Sequence, residues 1–245
     1  GNDGHWILAN GADLTCVNGS CLGIAGDFVI ELQAGSILKS DGAGGGQRFR
    51  VGNSSDRKAK SIIKITGGTL DLTDSRLRFV GSGVRPSDES QRSQFELEIS
   101  DGEIIGGDFF MSETGVNYSD SVFRVIGANG EIGTTKRLQL DARRRADNKD
   151  GSSLFEFKLV KGKVSPIYAD QMYISNKDFH PCDLKVDLAG ASSSGRIVLF
   201  DYNALFDSVG KGFGKVTVLQ GNKTLEQDSR RPVGVFDLAK DTYYI

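Results

Sequence analysis

A short motif recurs about every thirty residues along this chain, and that recurrence limits its fold more than any other feature. Each copy is an apolar-alternating run, then a small or polar residue, then Gly-x-aliphatic. It opens as Trp6-Ile7-Leu8-Ala9-Asn10-Gly11 and continues as Phe28-Val29-Ile30-Glu31-Leu32-Gln33-Ala34-Gly35-Ser36-Ile37. Further copies are Ile62-Ile63-Lys64-Ile65-Thr66-Gly67-Gly68-Thr69-Leu70, Phe95-Glu96-Leu97-Glu98-Ile99-Ser100-Asp101-Gly102-Glu103-Ile104 and Phe123-Arg124-Val125-Ile126-Gly127-Ala128-Asn129-Gly130-Glu131-Ile132. Phe155-Glu156-Phe157-Lys158-Leu159-Val160-Lys161-Gly162-Lys163-Val164 and the degenerate Leu184-Lys185-Val186-Asp187-Leu188-Ala189-Gly190 complete the series. The aligned glycines Gly11, Gly35, Gly68, Gly102, Gly130, Gly162 and Gly190 are 24, 33, 34, 28, 32 and 28 residues apart. A period in this range marks a solenoid, in which each repeat buries its apolar face against the next.

Within a copy the alternation has period two, so Phe95, Leu97 and Ile99 turn inward while Glu96 and Glu98 face water. No long window shows helical spacing with caps. The reading is strand, Gly-containing bend, strand. Second apolar runs follow at Leu77-Arg78-Phe79-Val80, Phe109-Phe110-Met111, Leu138-Gln139-Leu140 and Met172-Tyr173-Ile174. Variable connections come next, at 40–47, 81–93, 112–120, 141–152 and 175–181. All five are expected at one phase of the repeat and hence on one flank. The fold expected is all-β: a right-handed parallel β-helix of about seven coils, with a body roughly 30–35 Å long at a strand spacing of ~4.8 Å. A β-sandwich is the competing class. The β-helix is preferred because equivalent strands return in the same phase.

From about Ala191 the pattern changes, with a Ser192-Ser193-Ser194-Gly195 break followed by four short strand-like runs. Residues 1–190 are therefore expected to form the β-helix and 191–245 a C-terminal β cap covering the last coil's open edges.

Composition narrows the function. Thirty basic against 32 acidic side chains leave a net charge of -2. No global field steers the chain onto nucleic acid or an anionic membrane. No apolar stretch approaches the ~20 residues of a membrane span, so no membrane insertion is expected from this segment. No signal peptide is visible; Gly1 reads as a remnant of tag removal ahead of a mature secreted chain starting near Asn2. Cys16 and Cys21 bracket an Asn18-Gly19 turn and are expected to close a disulfide in an oxidising compartment. Two buried thiols are the alternative, and Cys182 is expected in the core.

Chemistry-bearing motifs are sparse. With only His5 and His180, a zinc site lacks its bracketing ligands and a Ser-His-Asp triad lacks its elbow. Gly42-Ala43-Gly44-Gly45-Gly46 is not followed by Gly-Lys-Ser/Thr, so it is no phosphate cradle. No metal and no cofactor are expected.

Thr66-Gly67-Gly68-Thr69-Leu70, its weaker relatives, and the ending Leu199-Phe200-Asp201-Tyr202 then Gly214-Lys215-Val216-Thr217-Val218 resemble bacterial surface β-helix proteins. They are similar to autotransporter passenger domains and autotransporter-associated strand repeats. The resemblance spans most of the chain through short motifs. It implies a secreted or cell-surface location in bacteria and a structural, adhesive or carbohydrate-related role, and it carries over no catalytic residue. The sequons at Asn18, Asn53, Asn117 and Asn222 are then chance occurrences.

Parallel β-helices also host polysaccharide lyases and glycosidases, which need a Ca²⁺-holding carboxylate cluster or two facing carboxylates. The densest charge lies at Asp141-Ala142-Arg143-Arg144-Arg145-Ala146-Asp147-Asn148-Lys149-Asp150. Arg85, Asp88, Glu89 and Arg92, with Asp41, Arg48 and Asp56, are expected on the same flank. Arg143, Arg144 and Arg145, with Asp141, Asp147, Asp150, Arg85 and Arg92, are the candidate binding residues. Arginine's planar fork suits the carboxylate or sulfate groups of an acidic polysaccharide. A solvated loop that keeps a repeat protein soluble is the plain alternative. Trp6, Tyr118, Tyr168, Tyr173 and Tyr202 are candidates for stacking on sugar rings, with Trp6 read as an N-terminal plug of the core. The expected role is structural, adhesive or glycan-binding, with an acidic polysaccharide or another surface protein as partner. A polysaccharide lyase or hydrolase, or a passive stalk module, is the alternative.

Overall fold

The computed structural model describes residues 4–17, 21–22, 27–41, 48–52, 60–73, 75–80, 93–110, 119–139, 142–143, 152–175, 179–180, 182–191, 196–207, 213–220, 223–227, 235–237 and 242–244. The chain is a parallel β-solenoid. Its main sheet of 17 strands wraps around the core as three faces.

The first face stacks Gly4–Leu8, Phe28–Leu32, the leading parts of Lys60–Asp71, Ser93–Ile105 and Ser119–Gln139, then Ser153–Lys158, Asp183–Asp187 and Val216–Gln220. Each pairs in parallel with the next, so this face is eight strands deep. In-register pairing puts like on like. One inward ladder runs Trp6, Ile30, Ile63, Leu97, Phe123, Phe155, Leu184, Val216. A second runs Leu8, Leu32, Ile65, Ile99, Val125, Phe157, Val186, Val218. Apart from Trp6, every member is buried. Fully burying one such side chain contributes roughly 1.5–3 kcal/mol, so these two ladders supply much of the drive to fold.

The second face carries one inward ladder: Leu14, Leu38, Leu70, Ile104, Ile132, Ile167, Phe200. The third aligns Phe49, Leu77, Phe109, Leu138, Met172 and Leu205, of which Leu77, Leu138 and Met172 are fully buried. Three strands per coil correct the two expected from sequence. The Gly-x-aliphatic element is a face of its own, and in Lys60–Asp71, Ser93–Ile105 and Ser119–Gln139 it runs on from the first-face strand without a break.

The first corner explains the glycines. Ser36 N–H bonds the Gln33 carbonyl at 3.0 Å, Ala12 that of Ala9 at 3.2 Å and Ala191 that of Leu188 at 2.9 Å. Each is a four-residue turn whose third residue, Gly35, Gly11 or Gly190, has positive φ, a conformation only glycine adopts without cost. Corners also stack, and at Gly102 (φ 94°) an added Cβ would lie 2.2 Å from the Gly68 carbonyl oxygen.

Parallel pairing runs past the expected boundary at residue 190. Phe200–Asp207 pairs in parallel with Ile167–Ser175, and Val216–Gln220 with Asp183–Asp187. The change in composition after Ala191 therefore does not end the coil. At the C-terminal end Lys223–Gln227 pairs antiparallel with Val216–Gln220 and covers the last edge of the first face. A three-stranded antiparallel sheet of Arg196–Val198, Val235–Asp237 and Thr242–Tyr244 accompanies it. Aromatic rings fill the core at this end: Phe155 lies 5.3 Å from Phe123 and 5.7 Å from Phe200, and Phe213 lies 5.7 Å from Phe200.

Replacing Phe155 by Ala should lower unfolding free energy by about 3–5 kcal/mol. Gly102→Ala should cost at least ~1–3 kcal/mol from φ alone, with the clash adding to it. Among the described residues the buried Ser61 hydroxyl has no hydrogen-bond partner, so Ser61→Ala should be neutral or stabilising. Urea unfolding of the three variants checks this ranking, and a Ser61→Ala loss as large as that of Phe155→Ala would contradict it.

Candidate functional site

The outward side of the first face carries the most organised polar surface among the described residues. In the column between the two inward ladders, register aligns Glu31, Lys64, Glu98, Arg124, Glu156 and Lys185, so charge alternates in sign from coil to coil. At its centre Arg124 Nε donates to Glu156 Oε2 at 2.7 Å and Nη1 to Glu98 Oε2 at 2.8 Å, with Glu96 Oε2 at 3.6 Å. Lys185 Nζ meets the other Glu156 oxygen at 2.9 Å. Glu156 is only 4 % exposed although its strand position faces outward. Burial by itself would raise its pKa, but the hydrogen bonds and charges of Arg124 and Lys185 prevail and hold it below the usual carboxylate range. Burial would likewise lower the pKa of Arg124, and its carboxylate partners instead hold it above its ordinary value.

That sign matters chemically. A general acid at neutral pH needs a raised carboxylate pKa, whereas this cluster stabilises the ionised form. The carboxylates converge on a guanidinium and act as a brace between coils. Lys60 with Glu96 (3.0 Å), Arg76 with Asp108 (3.1 Å) and Lys39 with Asp71 (3.7 Å) tie further coils together. Asp27, Asp120 and Asp183 accept the backbone N–H of Lys60, Ser152 and Lys215 in the following coil at 2.8, 3.0 and 2.7 Å. Burial raises the pKa of Asp183 against the opposing pull of Lys215. Aligning the motif copies column by column would have shown the alternating signs in the sequence.

The flank of variable connections is built differently from the expected one. The connections at 81–93, 112–120, 141–152 and 175–181 fall between a third-face strand and the next coil's first-face strand. The stretch at 40–47 instead separates the second from the third face, so Asp41 and Arg48 leave the flank, and 53–59 takes its phase. Two neighbouring connections meet: Ala142–Arg143 pairs antiparallel with Phe179–His180, Arg143 opposite Phe179. Arg143 is thus placed on the flank by its backbone, and its side chain lies outside the described residues. Arg144, Arg145, Asp141, Asp147, Asp150, Arg85, Arg92, Asp88, Glu89 and Asp56 also lie outside them.

Cys16 is a buried free thiol whose pKa is pushed up by burial. Cys21 sits on the third face, its strand paired with Arg48–Gly52, and its side chain lies outside the described residues. Cys182 is buried as expected, its thiol 3.4 Å from the Asp183 carbonyl. Trp6 heads its ladder edge-on to Phe28 at 5.2 Å and remains 49 % exposed, an incomplete plug. Tyr202 packs against the core, Tyr168 is exposed, and the side chains of Tyr118 and Tyr173 lie outside the described residues. Among the described residues, no group of three or more His, Cys, Asp or Glu could hold a metal ion, and no helix is long and apolar enough to cross a membrane.

Comparison of the chain with protein-family models, with curated proteins and with solved structures finds no match.

The brace predicts a pH signature. Glu156 has a depressed folded pKa, so its stabilisation is present at neutral pH and is lost as pH falls through the carboxylate range. Arg124→Leu strands Glu98 and Glu156 without their shared cation and should cost about 3–5 kcal/mol at pH 7. Because those carboxylates then gain from protonation, the deficit relative to wild type should shrink towards pH 4. Chemical denaturation at pH 7, 5.5 and 4 measures it, and a deficit that grows on acidification would contradict the brace.

Proposed function

We propose that this chain is a secreted or cell-surface β-solenoid scaffold with an adhesive role, of the kind found in bacterial autotransporter-like surface proteins. Its binding surface is the flank of variable connections, and its partner is an acidic polysaccharide or the acidic surface of another protein. The observation that carries this reading is the pairing of Ala142–Arg143 with Phe179–His180, which joins the Arg-rich connection to its neighbour. A rigid body that repeats one strand every ~4.8 Å sets successive connections at a fixed interval, as a repeating polymer requires of a receptor. Arg124 and Lys185 are already engaged with Glu98 and Glu156, and the Arg143-Arg144-Arg145 run is the densest stretch of cation in the sequence. Guanidinium groups there would bind carboxylate or sulfate groups two-pronged.

The test is binding of the full chain to polygalacturonate and to a sulfated glycan, before and after Arg143→Ala, Arg144→Ala and Arg145→Ala are combined. Hydrogen bonds to charged groups contribute roughly 1.5–3 kcal/mol each, so affinity should fall at least ~10-fold with the unfolding midpoint unchanged. Equal binding by the triple variant would overturn the assignment of the flank.

A further inference from the structure

The N-terminal part of the third face breaks the sign alternation seen on the first. Arg48–Gly52 pairs in register with Arg76–Val80, which sets Arg48 on Arg76 and Arg50 on Arg78. Both columns occupy positions that flank the fully buried Leu77 and its register neighbour Phe49, which places them on the outward side of the sheet. Four arginine positions thus form a grid of about 4.8 Å between coils and about 6.6 Å along the strand. Like charges directly across from each other repel. One carboxylate stands in register with the grid: Asp108, whose Oδ2 lies 3.1 Å from Arg76 Nε, with Arg137 in register on its other side. The register neighbours of Arg50 are Cys21 and Arg78, and those of Arg78 are Arg50 and Phe110, none of them acidic. The side chains of Arg48, Arg50 and Arg78 lie outside the described residues, as do Asp56 and Asp74, the acids nearest in the chain to these two strands. From Arg48 to Lys58 the sequence holds four cations and one acid.

We propose that this grid is a binding site for the sulfate esters of a polysaccharide, separate from the flank of connections. An anion set between two coils relieves the repulsion between in-register arginines, so the repulsion of the empty grid becomes affinity for the ligand. A sulfate ester presents three terminal oxygens as a tripod. It can accept a two-pronged bond from one guanidinium and a further bond from the guanidinium one coil away. A carboxylate presents two oxygens in one plane and matches a single fork. Asp108 bounds the grid at the Arg76 column and repels anions beyond it. With a net charge of -2 the chain supplies no wider field for a nucleic acid, so the local grid selects the ligand.

Binding of the full chain to dextran sulfate, polygalacturonate and single-stranded DNA tests this. The flank variant with Arg143, Arg144 and Arg145 replaced should still bind dextran sulfate. Adding Arg50→Gln and Arg78→Gln to it should weaken that binding at least ~10-fold. In the wild-type background the same pair should leave polygalacturonate binding unchanged. Its unfolding midpoint at low salt should equal or exceed that of wild type, because like-charge repulsion has been removed. Unchanged dextran sulfate binding after the pair is added, or none to the flank variant, would overturn the proposal. So would a lowered unfolding midpoint, an equal loss of polygalacturonate binding, or single-stranded DNA bound as tightly as dextran sulfate. A flank variant that binds polygalacturonate as wild type does counts against the flank and leaves the dextran sulfate comparison to decide the grid.

Discussion

In-register parallel stacking of coils is the constraint on which the rest of this molecule depends. Each coil has too little apolar surface to hold itself together, and its strands find their backbone partners in the coils on either side. Register then transmits chemistry along the axis. Because Ile30 lies on Ile63 and Ile63 on Leu97, a residue chosen for one coil faces its counterpart in the next. Apolar residues form continuous buried ladders by this rule. Glycines are placed by it as well, since the first corner of Gly102 leaves no room for a Cβ above Gly68.

The same rule makes like charges costly. A column of equal sign at strand spacing would repel along its whole length, and opposite signs directly across contribute modestly in each pair. The column from Glu31 to Lys185 avoids the repulsion by alternating sign, and around Arg124 it goes further. There Glu156 is withdrawn from water and satisfied on both oxygens by Arg124 and Lys185, which are drawn from the coils on either side. Such a centre contributes more to setting register than to net stability, because desolvation of the ions offsets most of the attraction. A one-residue slip would put Glu156 inside, where no cation is available.

Much of the fold was legible in the sequence because its signal is periodic. The Gly-x-aliphatic motif returned often enough to mark a solenoid and to place the inward residues of the first face. The second face was missed as a separate strand because in Lys60–Asp71, Ser93–Ile105 and Ser119–Gln139 it continues the first-face strand without a break. The coil was ended too early at Gly190 because the Ser192–Gly195 stretch interrupts composition while backbone pairing resumes at Phe200. For the site, single-residue reading located the arginine run but took 40–47 as equivalent to the other connections. Coil phase is fixed by pairing partners, which a linear sequence does not print. The Arg124 centre was overlooked for a different reason: its members are 26 and 32 residues apart, and only a column-by-column alignment of the motif copies brings them together.

The central claim is the register, and pulsed electron spin resonance distances test it most directly. With native cysteines replaced, one spin label at position 5 is paired in turn with labels at 122 and 154, which lie four and five strand steps further along the same outward column. At ~4.8 Å per step the backbone separations should be about 19 and 24 Å, growing by one strand spacing from the first pair to the second. Separations that do not increase along the column, or that lie closer together than a single strand spacing allows, would contradict a stacked solenoid.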